Sequence, residues 1–230
     1  SRGLGDVYKR QAQWRDYHYV VNQMYGAQKT LPVFMMNIHK VETQKDLDNY
    51  LSRLVSFKTF YDQVINQLMR SETKGVVPPR FVFAKSTQDL RNQLKGYPFD
   101  KKSKKLSPLY QDFSDKLESL RLSKQVSNDY RERAVAILNS SVQPGFQSLL
   151  TFLEDQAQRS KKIHGVWKFP KGKDYYRYRL KDMTTLNLSP EEIHNIGLEN
   201  VARIHREMKV IKKKVGFKGP LSSFFEYMQS

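Results

Sequence analysis

Hydrophobic positions recur along this chain at steps of three and four, the period of an amphipathic helix. No run shows the alternation with β-branched enrichment that a strand needs. The longest pattern lies at 189 to 215, where Ile193, Gly197, Val201, Ile204, Met208, Ile211 and Val215 draw one stripe down a helix of about six or seven turns. Ser189 stands as N-cap with Glu192 three residues on, and Pro190 takes the first helical position, where its missing N–H costs nothing. Gly216 supplies the stop. Glu191 and Glu192 at the positive end of the helix dipole, and Lys209, Lys212, Lys213 and Lys214 at the negative end, agree with the chain direction. Gly219-Pro220 then turns the chain into a short helix carrying Leu221, Phe224 and Phe225.

Upstream, the spacing predicts a first helix over 12 to 26 with Trp14, Tyr17, Val20, Val21 and Met24, a break at Pro32, and a short helical turn from Phe34 to Ile38. Thr43 caps a helix pair that buries Leu47, Tyr50, Leu51, Leu54, Phe57, Phe60, Tyr61, Val64, Ile65 and Leu68, with a bend near residue 54 and an end at Gly75. Pro78-Pro79 restricts the approach to a helix over 80 to 94, and the lysine-rich stretch 96 to 108 is the best loop in the chain. Helices over 108 to 120 and 125 to 141 follow, and Pro144 opens another that reaches Ser160. Residues 163 to 188 are aromatic, glycine-punctuated and mostly irregular, apart from a short helix through the tyrosines. The expected fold class is all-α, an irregular multi-helix array without a solenoid repeat.

Composition narrows the picture further. With 39% hydrophobic residues in 230 the chain can build a core, and it holds no run of eighteen apolar residues that would span a membrane. The absence of cysteine excludes disulfides, thiolate metal sites and a cysteine nucleophile. Lysine and arginine total 40 against 23 acidic residues, a formal charge of +17 that favours anionic partners. The positives are spread along helices and gathered in loops such as Lys101, Lys102, Lys104 and Lys105, without a nucleic-acid fold signature to organise them. Solvated surface is the better default, and nucleic acid is not the expected partner.

The first eleven residues, SRGLGDVYKRQ, resemble a translated sequencing-adapter scar and are set aside from fold reasoning. The expected organisation is one helical domain over 12 to 230, incomplete at its C-terminal end.

Candidate chemistry is sparse. The zinc-peptidase pattern H-E-x-x-H is absent, and the five histidines, His18, His39, His164, His194 and His205, include no pair three or four apart. His194 and His205 return to nearly the same helix face but lie about 16 Å apart along the axis, too far to share a metal. Glu191 and His194 form a lone Glu-x-x-His, whose bland reading is a capping-turn carboxylate beside a seam histidine. No nucleophile elbow, P-loop or dinucleotide fingerprint is present. The aromatic segment is the richer candidate: Trp167, Tyr175, Tyr176 and Tyr178, with Thr184 and Thr185, supply flat faces and hydroxyls of the sort that line ligand clefts, although aromatics at helical spacing are more often core.

The stretch GVWKFPKGKDYYRYRLKDMTTLNLSPEEIHNIGLENVARIHREMKVIKKKVGFKGPLSSFF resembles the matching region of the bacterial domain-of-unknown-function 885 family, as does the segment from Tyr50-Leu51-Ser52-Arg53-Leu54 to Gly75-Val76-Val77-Pro78-Pro79-Arg80-Phe81-Val82. One departure is Asp182-Met183-Thr184-Thr185, where family members often carry a histidine before the threonines. The resemblance implies a mostly helical bacterial protein, often exported or lipid-anchored, whose C-terminal half carries an E-A-x-P-G-H-H-like motif similar to zinc-dependent carboxypeptidases. Nothing in these 230 residues matches that motif. The implied function is thus the N-terminal scaffold and one substrate-cleft wall of a zinc-dependent peptidase, not catalytic by itself. Tyr175, Tyr176, Thr184, Thr185 and His194 are its cleft candidates, with no catalytic, cofactor or metal residues. Zinc is expected only in the longer protein, whose C-terminal half would be this region's partner, with a peptide as substrate and a periplasmic or cell-envelope location. The alternative is a basic helical module that binds nucleic acid or anionic envelope polymers, for which steep salt dependence would be the mark.

Overall fold

The computed structural model describes Tyr8, residues 11–160 and residues 162–229, so most of the proposed adapter tail lies outside the described residues. Every regular element among them is helical, and the sole bridge joins Tyr97 to Leu106 inside the 96 to 108 loop. The chain separates into two compact units, Ser1–Pro170 and Lys171–Ser230, where the sequence reading draws one domain. The boundary falls inside the aromatic segment in which the chain changes character.

The first unit holds α1 (Ala27–Asn37), α2 (Gln44–Val55), α3 (Phe57–Thr73), α4 (Arg80–Gln93), α5 (Pro108–Ser119), α6 (Lys124–Ile137) and α7 (Gln143–Arg159). Its core runs between α3 and α7. Phe57 meets Phe146 edge-on at 6.0 Å between ring centres, and Tyr61 meets the same ring at 5.3 Å. Gly145 makes this approach possible, because a Cβ there would lie 3.2 Å from both Lys58 Cα and Tyr61 Cδ2. Leu47, Leu51 and Leu54 from α2, Val64 and Leu68 from α3, Phe113 and Leu117 from α5, and Leu149 and Leu153 from α7 complete a continuous buried cluster. Burial of each such side chain contributes about 1.5–3 kcal/mol. At its far end the seam is clamped by Glu72, whose carboxylate accepts from Arg159 Nε at 2.9 Å, Arg159 Nη2 at 3.1 Å and Gln156 Nε2 at 2.9 Å. The Arg159 hydrogen bond chiefly holds the Glu72 carboxyl below the usual carboxylate range.

Several boundaries differ from the sequence reading, each for a local reason. Of the helix expected over 12 to 26 only residues 12 and 13 are helical; the short turn Arg15–Tyr17 and irregular chain follow. Tyr17 donates its hydroxyl to the Pro170 carbonyl at 2.6 Å, and Tyr17 and Tyr19 both pack edge-on against Phe169. Asn22 Oδ1 accepts from the backbone N–H groups of Met24 and Tyr25, an Asx turn that competes with helix. The bend expected near residue 54 is a full break at Ser56, the residue between α2 and α3. The short helix expected through the tyrosines is present and runs to 13 residues, Gly172–Thr184.

Two prolines interrupt less than expected. Pro144 does not start a new helix; α6 runs into α7 through a π turn, Leu138–Val142, with Gln143 N–H donating to the Leu138 carbonyl. Wider winding absorbs the proline that would otherwise clash with the preceding turn. Pro32 lies inside α1, which continues unbroken around it. Lacking an N–H, it leaves the Gln28 carbonyl without its i+4 donor. The buried Tyr61 hydroxyl donates to that carbonyl at 3.4 Å in its place.

A polar network closes the other end of α1. Lys116 Nζ donates to the Met35 carbonyl at 2.6 Å and to Asp112 Oδ2 at 2.9 Å, and the Tyr50 hydroxyl donates to the same Asp112 oxygen at 2.8 Å. The lysine thus serves a helix-end carbonyl that has no partner within the helix. Next to it, buried His39 accepts from Arg53 at Nδ1 and donates from Nε2 to the Asp46 carbonyl at 3.1 Å. Burial lowers the His39 pKa, outweighing the raising effect of that carbonyl.

Removing the Tyr61 hydroxyl (Tyr61→Phe) is expected to cost about 1 kcal/mol, the size of one buried hydrogen bond. In a Pro32→Ala background, where the helix supplies its own N–H to Gln28, the cost should be smaller; a double-mutant cycle by urea denaturation reads the difference. For His39, the unfolded chain takes up a proton near pH 6.5 whereas the folded form resists until a lower pH. Its contribution is therefore fully present above 6.5 and lost as pH falls below it. Denaturation at pH 7.5 and 5.5 should show lower stability at 5.5, and His39→Gln should narrow the gap.

Candidate functional site

The sequence-predicted cleft residues fall in the second unit, which consists of α8 (Gly172–Thr184), α9 (Pro190–Lys214) and α10 (Leu221–Gln229). Tyr175 and Tyr176 occupy the first half of α8. Tyr175 is buried, which pushes its hydroxyl pKa up, while Tyr176 is exposed. Thr184 ends the helix about 12 Å further along the axis than Tyr176 and roughly on the opposite side from Tyr175. The helix therefore spreads these groups along its length and round its faces instead of gathering them around one point or on one wall.

Thr184 and Thr185 are both engaged locally. The Thr184 hydroxyl donates to the Leu180 carbonyl at 2.7 Å and accepts from Leu186 N–H at 3.2 Å, and the Thr185 hydroxyl donates to the Thr184 carbonyl at 2.6 Å. Thr185 holds a left-handed backbone with φ 61, as does Lys171 at the other end of α8 with φ 57. For a β-branched residue this conformation is uncommon and costs on the order of 1–3 kcal/mol, strain that concentrates at functional sites. His194 lies exposed in the first turn of α9.

The start of α9 forms as its sequence dictates. The Ser189 side chain accepts from Glu192 N–H at 3.1 Å, and Glu192 returns the contact to Ser189 N–H at 2.7 Å, which holds the Glu192 carboxyl below its ordinary range. At the other end Gly216 takes φ 73 and Phe217 N–H reaches back to the Lys212 carbonyl, closing the helix as a Schellman turn. Phe217 then stacks against Phe224 and Tyr227 of α10, both at 5.3 Å. No residue of the 25-residue α9 is buried. Val201, Ile204, Ile211 and Val215 are 52%, 38%, 54% and 61% exposed, so the apolar stripe lies open along its length.

No three His, Asp or Glu side chains among the described residues approach closely enough to share a metal ion. Among the described residues none of these side chains is grouped to fit a zinc site, and no helix is long and apolar enough to cross a membrane. Sequence reasoning passed over Lys168. Burial lowers its pKa, and its ammonium sits 5.5 Å from the Phe169 ring and 6.0 Å from the Tyr19 ring. The signal lay in the flanking aromatics Trp167 and Phe169, but its partner Tyr19 comes from the other end of the first unit.

Comparison with known proteins places these features. The crystal structure of the putative lipoprotein from Colwellia psychrerythraea is similar, with a TM-score of 0.77 and 26% identity, covering 89% of this chain and 34% of that one. The chain thus spans about a third of the length of that protein. No curated protein matches. Residues 4–230 match the family described as bacterial protein of unknown function (DUF885), which covers both helical units, and the chain belongs to that family.

Proposed function

We infer that this chain is a non-catalytic helical scaffold that docks through α9 onto further polypeptide of a larger, zinc-dependent peptidase-like protein. The observation that carries the reading is the open stripe of α9. A helix of 25 residues with no buried side chain gains little from its own cap and dipole, and most helical stability in proteins comes from packing an apolar face. A row of exposed Val and Ile is the expected face of an interface waiting for its partner. The length relation supports the same view, since the alignment covers 89% of this chain but only 34% of the similar crystal structure.

The peptidase assignment rests on the family resemblance. In it, Tyr175, Tyr176, Thr184, Thr185 and His194 are the cleft candidates, of which Tyr175 and Thr184, on opposite sides of α8, cannot both line the same face, and the strained Thr185 backbone fixes how the chain leaves α8 towards α9. The description of the Colwellia protein as a putative lipoprotein supports a location at the cell envelope. Metal ligands and general base would come from the rest of the larger protein.

Ile204→Glu and Ile211→Glu should change the stability of the isolated chain by no more than about 0.5 kcal/mol, the usual range for exposed positions. Both should reduce dye binding to exposed apolar surface and self-association in sedimentation. A loss above about 2 kcal/mol would mean that the stripe is already packed and would overturn the docking reading. Metal analysis tests the other half: the purified chain should hold no stoichiometric zinc and cleave no peptide, whereas tightly bound zinc would contradict a scaffold without ligands.

A further inference from the structure

The first unit carries a cavity that neither the docking surface nor the cleft wall uses. It opens between the start of α4 and the end of α7, beside the segment at 162 to 164, with a volume of about 560 Å³, within the range of small-molecule sites. Phe83, Ala84 and Ala157 give it an apolar lining. Phe81 stands at its edge, 52% exposed, and packs at a tilt against the His164 ring with 5.4 Å between ring centres, so the two rings together form one side of the opening.

The charges around it are unequal. Glu154 is the acid in the lining, and Arg91 already pairs with it at 2.5 Å. Arg80 and Lys162 are exposed and form no ion pair with a carboxylate among the described residues. The bland reading is a solvated groove with two surface cations. Against it stands Phe81: Pro78 and Pro79 fix the chain just ahead of it, yet the phenyl ring is left half in water beside another ring instead of turning into the core, where Val82 and Phe83 go. A ring so placed has contact area to offer a ligand.

The geometry points to a binding site for a small carboxylate with a flat apolar body, the carboxylate held by Arg80 with Lys162 adding charge, and the body laid against the Phe81 and His164 pair over the alanine floor. Arginine suits the role because its planar fork matches a carboxylate in two parallel hydrogen bonds. This site is independent of the scaffold reading and survives its failure.

The test uses the 230-residue protein with N-acetyl-L-phenylalanine as probe and the uncharged N-acetyl-L-phenylalaninamide as control, followed by backbone amide shifts in NMR. The acid should bind with a Kd on the order of 1 mM, reasonable for a ligand of this size, and shift the Ala84 and Ala157 signals. The amide should bind roughly tenfold more weakly, as loss of a charge-assisted hydrogen bond requires. Arg80→Gln should weaken the acid to a similar degree, Phe81→Ala should weaken both probes, and Lys85→Gln, outside the cavity, should change neither. Since Arg80 is exposed, thermal melting of Arg80→Gln should match the parent, and Lys162→Gln provides a second charge variant. Equal binding of acid and amide, indifference to Arg80→Gln, or shifts absent from Ala84 and Ala157 at about 10 mM acid would each overturn the assignment.

Discussion

The architecture of the first unit depends on how closely α7 can lie against α3. Glycine at position 145 removes the one side chain that would hold the two backbones apart, and the space is taken by the Phe146 ring wedged between Phe57 and Tyr61. Close-packed interiors transmit such constraints. With α3 fixed against α7, the neighbouring helices α2 and α5 find their places around the same aromatic centre, where Tyr50 meets Phe113 at 5.4 Å. The Glu72 and Arg159 clamp then sets the far end of the pair, so the seam is defined by packing along its middle and by charge at its end.

The same seam also solves a polar problem. Tyr61 is both a packing element and the donor that reaches the Gln28 carbonyl beneath Pro32, so one residue joins the core to an interior point where α1 cannot satisfy itself. Lys116 does the equivalent at the C-terminal end of α1 through the Met35 carbonyl. Buried backbone groups left unpaired cost free energy comparable to a lost hydrogen bond, and here side chains from distant helices supply the missing partners. The helix bearing an internal proline is therefore held by its neighbours at both weak points.

Much of this was legible in the sequence, and the gaps are instructive. The Ser189 and Glu192 capping box, the stop at Gly216 and the all-α class follow from local chemistry that acts within a few residues. The misread segments are those in which a distant group decides the outcome. Residues 12 to 26 have helical spacing, but Tyr17 and Tyr19 find partners around Phe169 and Pro170, and Asn22 turns the chain. Pro32 reads as a break because the sequence gives no hint that Tyr61 will stand opposite Gln28. The cleft candidates were visible as residue types, yet nothing in their spacing revealed that Thr185 would adopt a left-handed backbone. That Arg80 and His164 would line one cavity was not legible, because nothing local links two residues so far apart along the chain.

The π turn between α6 and α7 carries a consequence for the length of the chain itself. Tyr130, Ala134, Leu138, Val142 and Phe146 are all buried and each stands four residues from the next. On an ideal α-helix every such step drifts by about 40°, so five positions would wind through roughly 160° and leave the core. The wider winding at Leu138–Val142 takes up part of that drift and lets one face serve both halves of the path. Regular α winding over the same residues would turn Phe146, Leu149 and Leu153 by about 100° relative to α6, whereas loss of a single residue at the π turn would cancel that rotation and keep them on the core face. The π turn thus acts as one absorbed residue, and homologous helices should tolerate a one-residue difference in length at this point more readily than elsewhere along α6 and α7.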